Sequence, residues 1–199
     1  MGKPDFRALY YNSMGQLFYI IGASGAGKDT LINYARTGIN GSLPVLFAHR
    51  YITRRSDGGN ENHIYLSTEE FISRRDGGLF ALHWESHGQH YGIGLEIDLW
   101  MKRGYHVILN GSRQYLPEAQ KKYPRLKVIL IEASPETIRR RLEKRGREGG
   151  AELEERISRS REIGPGILDS GEILRIQNDG LLEEAGEALI NLLSPLLCP

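Results

Sequence analysis

The fold of this chain is decided by residues 22–30, Gly22-Ala23-Ser24-Gly25-Ala26-Gly27-Lys28-Asp29-Thr30. The spacing G-x-x-x-x-G-K is that of a phosphate-binding loop between a β-strand and an α-helix. The glycines let successive backbone N–H groups turn toward phosphate oxygens, and the helix that follows adds partial positive charge. Lys28 supplies a full charge for the β- and γ-phosphates. All nine residues are therefore predicted to bind ATP.

One position departs from this pattern. The residue after the lysine is usually Ser or Thr, whose hydroxyl binds Mg²⁺, whereas here it is Asp29. A carboxylate is also a hard oxygen ligand, so we predict that Asp29 serves the Mg²⁺ of ATP-Mg²⁺. It could do so directly, through water, or by orienting Lys28, and the sequence leaves these three routes open.

The rest of the chain alternates between short apolar runs and longer amphipathic segments. This alternation is typical of βαβ units around a parallel sheet. Strands are predicted over 17–21, 45–48, 107–109, 128–131 and 173–176. Helices are predicted over 29–36, 96–102, 115–122, 135–144 and 181–193. We therefore predict the α/β class, with one P-loop kinase domain over 1–199 whose parallel sheet is flanked by helices.

Three segments stand apart from this alternation. Residues 50–93 are rich in Gly, His, Arg and Tyr, which predicts an insert with only short regular elements. Residues 146–165 begin with several glycines and are densely charged, which predicts a hinge and a mobile lid, although a plain exposed helix would have the same composition. Residues 1–15 lack the apolar stretch of a secretory signal and are predicted to be an extension.

The overall composition excludes several classes of function. The 199 residues are 40% hydrophobic and 26% charged, with a formal net charge of +1. That balance gives no reason to expect nucleic acid or membrane partners, so we predict a small-molecule substrate. The one cysteine, Cys198, rules out an intrachain disulfide and indicates a cytoplasmic location. The oligomeric state is left open, with a homodimer as one option.

Beyond the loop, the chain resembles the guanylate kinase branch of the P-loop kinases over nearly its whole length. The matching segments are 50–54 (RYITR), 87–92 (HGQHYG), 141–146 (RLEKRG) with Arg156, and 178–179 (ND). The resemblance implies that Arg50, Arg54 and Tyr91 bind the acceptor phosphate, which makes 50–93 an acceptor-binding insert. It implies catalytic roles for Lys28 and for three arginines associated with the lid, and an adenine contact for Asn178. Those arginines are Arg141, Arg145 and Arg156.

The same comparison fails where guanylate kinases recognise guanine. The Glu that reads the guanine edge corresponds to Leu82 here, and the strand-ending Asp-x-Asp corresponds to Asn110-Gly111-Ser112. A second acceptor arginine is replaced by Asp57. A site that has lost its buried carboxylates cannot keep selectivity for guanine, because those contacts carry the discrimination. The parts that handle phosphate are kept, and the parts that read guanine are not.

A more specific resemblance is to the ribose 1,5-bisphosphate phosphokinases. It is carried by GKD in the loop and by the strings HRYITR (49–54), ENHI (61–64), YGIGLEIDLW (91–100), NGSR (110–113) and RGRE (145–148). The resemblance accounts for the Asp after the loop lysine. It implies that ATP and ribose 1,5-bisphosphate give ADP and 5-phosphoribosyl 1-diphosphate (PRPP), a step of bacterial phosphonate catabolism.

The implied acceptor is a phosphate monoester. Such a group is largely ionised at neutral pH, so no general base is needed and catalysis reduces to positioning and charge neutralisation. Arg113 is a candidate for the second acceptor phosphate, because a guanidinium binds phosphate oxygens in pairs. Two alternatives stay open: a nucleoside monophosphate kinase with altered base preference, and a non-catalytic guanylate-kinase-like binding module.

Overall fold

A computed structural model describes residues 14–41, 43–55, 62–146, 154, 157–158 and 173–197. Only the backbone is described at Arg145 and at 194–197. Most of the predicted extension and lid, Asp57 and Arg156 therefore lie outside the described residues. In chain order the elements are β1 (Leu17–Gly22), α1 (Lys28–Ile39), β2 (Val45–Phe47), β3 (Arg50–Ile52), β4 (His63–Tyr65), α2 (Thr68–Asp76), β5 (Phe80–Ser86), β6 (Gln89–Gly94), α3 (Glu96–Lys102), β7 (His106–Asn110), α4 (Leu116–Lys122), β8 (Lys127–Glu132), α5 (Pro135–Arg145), β9 (Ile173–Gln177) and α6 (Leu182–Leu197).

The main sheet has five parallel strands in the order β2-β7-β1-β8-β9. The central strand β1 pairs with β7 on one side and β8 on the other, with Tyr19 opposite Leu109 and Val128. Because all strands run the same way, their carboxyl ends meet at one edge. At this edge Asn110, which ends β7, lies opposite Ile20, two residues before Gly22 ends β1. The predicted α/β class is confirmed.

Helices cover both faces of this sheet. On one face, Ile20 of β1 shares a buried apolar cluster with Leu31 of α1, Leu142 of α5 and Leu189 of α6. On the other face, a second cluster brings together Tyr19, α3, α4 and part of β5. Each fully buried large apolar side chain contributes about 1.5–3 kcal/mol. These clusters hold the strand ends at the edge where the phosphate loop begins.

The insert forms a second, smaller sheet. Its strand order is β4-β3-β6-β5, and α2 packs against it, with the rings of Phe71 and Phe80 stacked 4.6 Å apart. The insert is more regular than the sequence predicts, because β5 and β6 form an antiparallel hairpin. Its turn consists of His87 and Gly88, whose φ angles of 51° and 66° are both positive, as in a type I′ turn.

Helix α5 shows local signals that agree with its predicted bounds. The Ser134 hydroxyl accepts a hydrogen bond from the Thr137 N–H at 3.2 Å, and Pro135 follows at the first helical position. The helix ends at Gly146, which adopts the left-handed conformation with φ of 64°. None of the described helices is long and apolar enough to cross a membrane.

Candidate active site

The phosphate loop joins β1 to α1 with the geometry that its glycines predict. Gly25 and Gly27 have φ angles of 84° and 92°, a region that favours glycine. Gly27 caps α1, so the helix N-terminus faces the loop. The Lys28 ammonium donates hydrogen bonds of 2.9 Å each to the carbonyl oxygens of Gly22 and Ala23. The Lys28 ammonium therefore lies beside the loop at the N-terminus of α1. Its charge adds to the partial positive charge of the helix end, and both favour the binding of an anion.

The loop is supported from behind by two polar side chains. Asn178, which is 3% exposed, donates from Nδ2 to the Ala26 carbonyl oxygen at 2.7 Å. Arg141 Nη1 lies 3.3 Å from the same oxygen. A Cβ added to Gly27 would come within 2.5 Å of the Asn178 amide nitrogen. The packing thus requires glycine at 27 and makes Asn178 a direct support of the loop.

Arg141 and Asp179 extend this support. Burial lowers the pKa of the Arg141 guanidinium. The Asp179 carboxylate accepts a hydrogen bond from the Ser134 N–H at 2.8 Å and another from the Gln177 side chain, and these bonds hold its pKa below the usual range. Asp179 thereby ties the end of β9 to the start of α5, the helix that carries Arg141.

Asp29 is the meeting point of three elements. Its Oδ1 accepts a hydrogen bond of 2.7 Å from Asn110 Nδ2 and one of 3.1 Å from Arg50 Nη2. The Arg50 side chain is 11% exposed and that of Asp29 is 39% exposed. A residue of the phosphate loop thus forms an ion pair with the first predicted acceptor residue, and the last residue of β7 completes the cluster.

Aromatic rings line the insert side of this cluster. The Arg50 guanidinium lies 5.9 Å from the centre of the Tyr91 ring. The Tyr91 ring stacks on Trp84 at 5.6 Å with an interplanar angle of 2°, and Trp84 in turn stacks on Tyr115. The structure therefore places Arg50 and Tyr91, two of the predicted acceptor residues, together.

The other predicted acceptor residues occupy separate turns. Arg54 is half-buried just after β3. Arg113 is half-buried in the turn after β7, next to Ser112. The buried Tyr19 hydroxyl accepts from the Ser112 N–H at 3.0 Å and donates to the Ser112 carbonyl oxygen at 3.1 Å, and burial raises the pKa of Tyr19. Tyr19 thus fixes the turn that carries Arg113.

Sequence reasoning missed three contributors: Asn110, Tyr19 and Trp84. Asn110 was noticed only as a departure from Asp-x-Asp, although a polar residue ending a buried strand beside the loop is a signal for a site residue. Tyr19 and Trp84 look like ordinary core residues in the sequence, and no pattern distinguishes them. Arg156 and the side chain of Arg145 lie outside the described residues.

The donor set at the loop fits a magnesium ion. Asp29 offers a partly exposed carboxylate at the start of α1, and Mg²⁺ in such sites needs only one or two carboxylates besides substrate phosphates. Among the described residues, no group of three or more His, Cys, Asp or Glu side chains is arranged to hold a metal ion. A metal at the loop would therefore use Asp29 together with phosphate oxygens.

Comparisons with known proteins give relatives in sequence and in structure. The ribose 1,5-bisphosphate phosphokinase PhnN of Thiobacillus denitrificans is 50% identical over 182 residues, 92% of this chain and 94% of the relative. That of Burkholderia pseudomallei is 45% identical, with 92% and 98% covered. The crystal structure of guanylate kinase from Anaplasma phagocytophilum matches with a TM-score of 0.67 at 19% identity, covering 94% of this chain and 88% of that one. No protein-family model matched the sequence.

The fold and the loop together define a P-loop kinase with a guanylate-kinase-like architecture. The sequence relatives identify the family within this class, because two of them are 50% and 48% identical over 94% and 95% of their length. The chain belongs to the ribose 1,5-bisphosphate phosphokinase family. The prediction of a phosphotransferase of this family is thereby confirmed, while the guanylate kinase likeness shows the fold alone.

Proposed function

We propose that this chain transfers the γ-phosphoryl group of ATP to the 1-phosphate of ribose 1,5-bisphosphate, giving ADP and PRPP in phosphonate catabolism. The observation that carries the proposal is the Asp29–Arg50 ion pair at 3.1 Å, which joins the phosphate loop to the insert. It supports the proposal because Asp29, assigned to the donor site, contacts Arg50, assigned to the acceptor site. Family membership supplies the identity of the acceptor.

On the donor side, the loop amides and the Lys28 ammonium would hold the β- and γ-phosphates of ATP. Asp29 would hold Mg²⁺, which neutralises charge on the transferred group when it is bound. Asn178 would keep the loop in shape from behind, and its predicted adenine contact remains part of the proposal. Residues 22–30 thus act as one binding unit.

On the acceptor side, we assign Arg50, Arg54 and Tyr91 to the reacting phosphate and Arg113 to the second one. Both acceptor phosphates carry close to two negative charges at neutral pH, since the second pKa of a phosphate monoester is about 6. The acceptor oxygen is therefore already nucleophilic. The protein has to hold two anions in line and offset their repulsion with guanidinium groups.

The proposed domain organisation follows from these roles. Residues 50–93 form the acceptor-binding insert, 146–165 a lid and 1–15 an extension of a single kinase domain. Arg141, Arg145 and Arg156 would stabilise the charge that develops during transfer when the lid closes. We place the enzyme in the cytoplasm, because its one cysteine suits a reducing compartment.

The described residues also argue against guanine as the acceptor group. Leu82 is 1% exposed and packs in the second apolar cluster, so it offers no hydrogen-bond acceptor to a base. Asn110 Nδ2 is committed to Asp29, and Asn110 Oδ1 is buried from solvent, so neither atom is accessible to a bound base. Guanine donors buried against these groups would stay unpaired at about 1–3 kcal/mol each. Two such losses lower kcat/KM by roughly two to four decades.

The test is an ADP-release assay with ribose 1,5-bisphosphate and with GMP, and the sugar product is identified by mass and phosphorus NMR. We expect PRPP from the first acceptor and at most a trace reaction with GMP. Faster turnover of GMP than of ribose 1,5-bisphosphate would contradict the proposal and favour a nucleoside monophosphate kinase. Inactivity on every acceptor with ATP still bound would support the binding-module alternative. A Lys28→Ala preparation run in parallel controls for contaminating kinases.

A further inference from the structure

The Asp29 carboxylate does more than occupy the position of a metal ligand. One of its oxygens, Oδ1, accepts from Arg50 of the insert sheet and from Asn110 at the end of β7. Both donors come from elements outside the phosphate loop. We propose that Asp29 is the positioning residue for Arg50, so that the donor loop itself orients an acceptor-binding arginine. This inference rests on the proposed function of Arg50 and deepens it.

Burial of Arg50 favours the ion pair. The Arg50 side chain is 11% exposed, and a guanidinium removed from water is costly unless an anion or several acceptors compensate it. Asp29 supplies the compensating charge at 3.1 Å. The contact with the Tyr91 ring at 5.9 Å holds the other side of the same guanidinium. Arg50 is thus held between the loop and β6.

Asn110 fixes the carboxylate in turn. Its Nδ2 donates to Asp29 at 2.7 Å, while its Oδ1 is buried and has no hydrogen-bond partner in the part of the chain that the structure describes. The flipped amide would bring a carbonyl oxygen against the carboxylate, so the contact with Asp29 sets the orientation of the amide.

The two departures from the guanylate kinase pattern therefore explain each other. A carboxylate at 110, as in Asp-x-Asp, would face that of Asp29 across about 2.7 Å, and like charges so close cannot both stay ionised. With Asp29 in the loop, the end of β7 must carry a donor. With the usual Ser or Thr at 29, the hydroxyl would be too short to reach Arg50, and a carboxylate at 110 becomes compatible again.

The first test separates metal binding from positioning. Asp29→Ser restores the hydroxyl that the loop usually carries and removes the partner of Arg50. We expect the ATP-Mg²⁺ dissociation constant to change less than about threefold. We expect KM for the acceptor to rise about ten- to a hundredfold, as for a lost charge-assisted hydrogen bond. Asp29→Asn, which keeps an oxygen for both donors, should fall between Asp29→Ser and the wild type.

The control is Asp76→Ser, which makes the same replacement in a solvent-exposed ion pair. Asp76 pairs with Arg75, and its side chain is 61% exposed. It should leave both constants unchanged. If Asp29→Ser instead strongly weakened ATP-Mg²⁺ binding and left the acceptor KM at saturating ATP-Mg²⁺ unchanged, Asp29 would be a metal ligand only and the proposal would be overturned.

The second test exchanges the carboxylate between the two positions. Asn110→Asp should lower kcat/KM about tenfold or more in the wild-type background, because it opposes two carboxylates. In the Asp29→Ser background the same change should lower kcat/KM much less, because no second carboxylate opposes it. Additive effects of the two substitutions would contradict the proposal.

A third arm needs no acceptor and separates this proposal from the assignment of the substrate. Asp29→Ser, Arg50→Met and the double variant are compared in urea unfolding. We expect Asp29→Ser to destabilise the protein more when Arg50 is present than in the Arg50→Met background, where only the Asn110 contact is lost, so the effects should not add. If the wild type proves to use another acceptor, the proposed function fails and the kinetic arms are run on that acceptor. Additive unfolding energies would refute the ion pair whatever the substrate is.

Discussion

Replacing Asn178 by alanine tests whether this side chain supports the loop or reads adenine. The amide is 3% exposed and donates to the Ala26 carbonyl oxygen at 2.7 Å. An orphaned buried carbonyl costs about 1–3 kcal/mol. Because Arg141 Nη1 stays 3.3 Å from the same oxygen, we expect the lower half of that range, about 1–2 kcal/mol. For a chain of this size, each kcal/mol lowers the melting temperature by about 2–4 °C.

The assay pairs thermal and urea unfolding with calorimetric binding of ATP, GTP and inorganic tripolyphosphate. If Asn178 acts on the loop, Asn178→Ala weakens all three ligands by a similar factor, since all three use the same backbone amides. Asn191→Ala is the matched control, because Asn191 lies exposed on α6 and the substitution should be nearly silent.

One result would refute the loop-support reasoning. An Asn178→Ala protein with unchanged unfolding free energy, and with weaker binding of ATP but not of tripolyphosphate, would make Asn178 a reader of the base. The predicted adenine contact would then be its main role.

Three further predictions concern the loop and its supports. Lys28→Ala should abolish phosphoryl transfer in the ADP-release assay with an unchanged circular dichroism spectrum, because its charge acts on the phosphates; wild-type turnover would contradict the donor site. Gly111→Ala should cost about 1–3 kcal/mol in urea unfolding, since the added Cβ would fall 2.1 Å from the Tyr19 ring; a neutral result would show that the ring can move aside. Asp179 has a lowered pKa, so its contribution to stability is complete above its ordinary value of 3.8 and is lost as the pH falls toward its folded value. The difference in unfolding free energy between wild type and Asp179→Asn should therefore be constant above about pH 5 and shrink below about pH 4. A difference that grows in acid would mean that folding raises the pKa of Asp179 and would contradict this prediction.

The main sheet could be predicted because its signals are local. Each strand is a short apolar run, and the loop motif fixes where β1 ends and α1 begins. The helix Glu96–Lys102 begins and ends where the sequence indicates. The β5–β6 hairpin could not be predicted, because its glycine and histidine residues interrupt the alternation of apolar and polar residues that indicates a strand. Its two-residue turn, His87-Gly88, was the available signal.

The site could be predicted only in part, for a physical reason. Lys28 and Asp29 belong to one contiguous motif, so their positions follow from spacing. The contacts of Asp29 with Arg50 and Asn110 join residues 21 and 81 positions apart, on two different sheets. The contact of Asn178 spans 152 positions. Such contacts depend on how the insert packs against the main sheet, which no local pattern encodes.

The contacts of Asp29 also bear on how one fold can serve a phosphate acceptor with a base and one with a second phosphate instead. A carboxylate at the end of β7 is free to accept hydrogen bonds from an amino-bearing base. Here the carboxylate stands in the loop, where Arg50 and Asn110 occupy its Oδ1. Asn110 adds no charge at the strand end, while Lys28 and Arg50 outnumber the single negative charge of Asp29. A site with surplus positive charge favours an acceptor with two phosphates, and one that cannot pair the donors of a base disfavours a nucleotide. On the proposed function, moving one carboxylate between neighbouring elements would therefore change the preferred acceptor while the sheet and loop beneath stay the same.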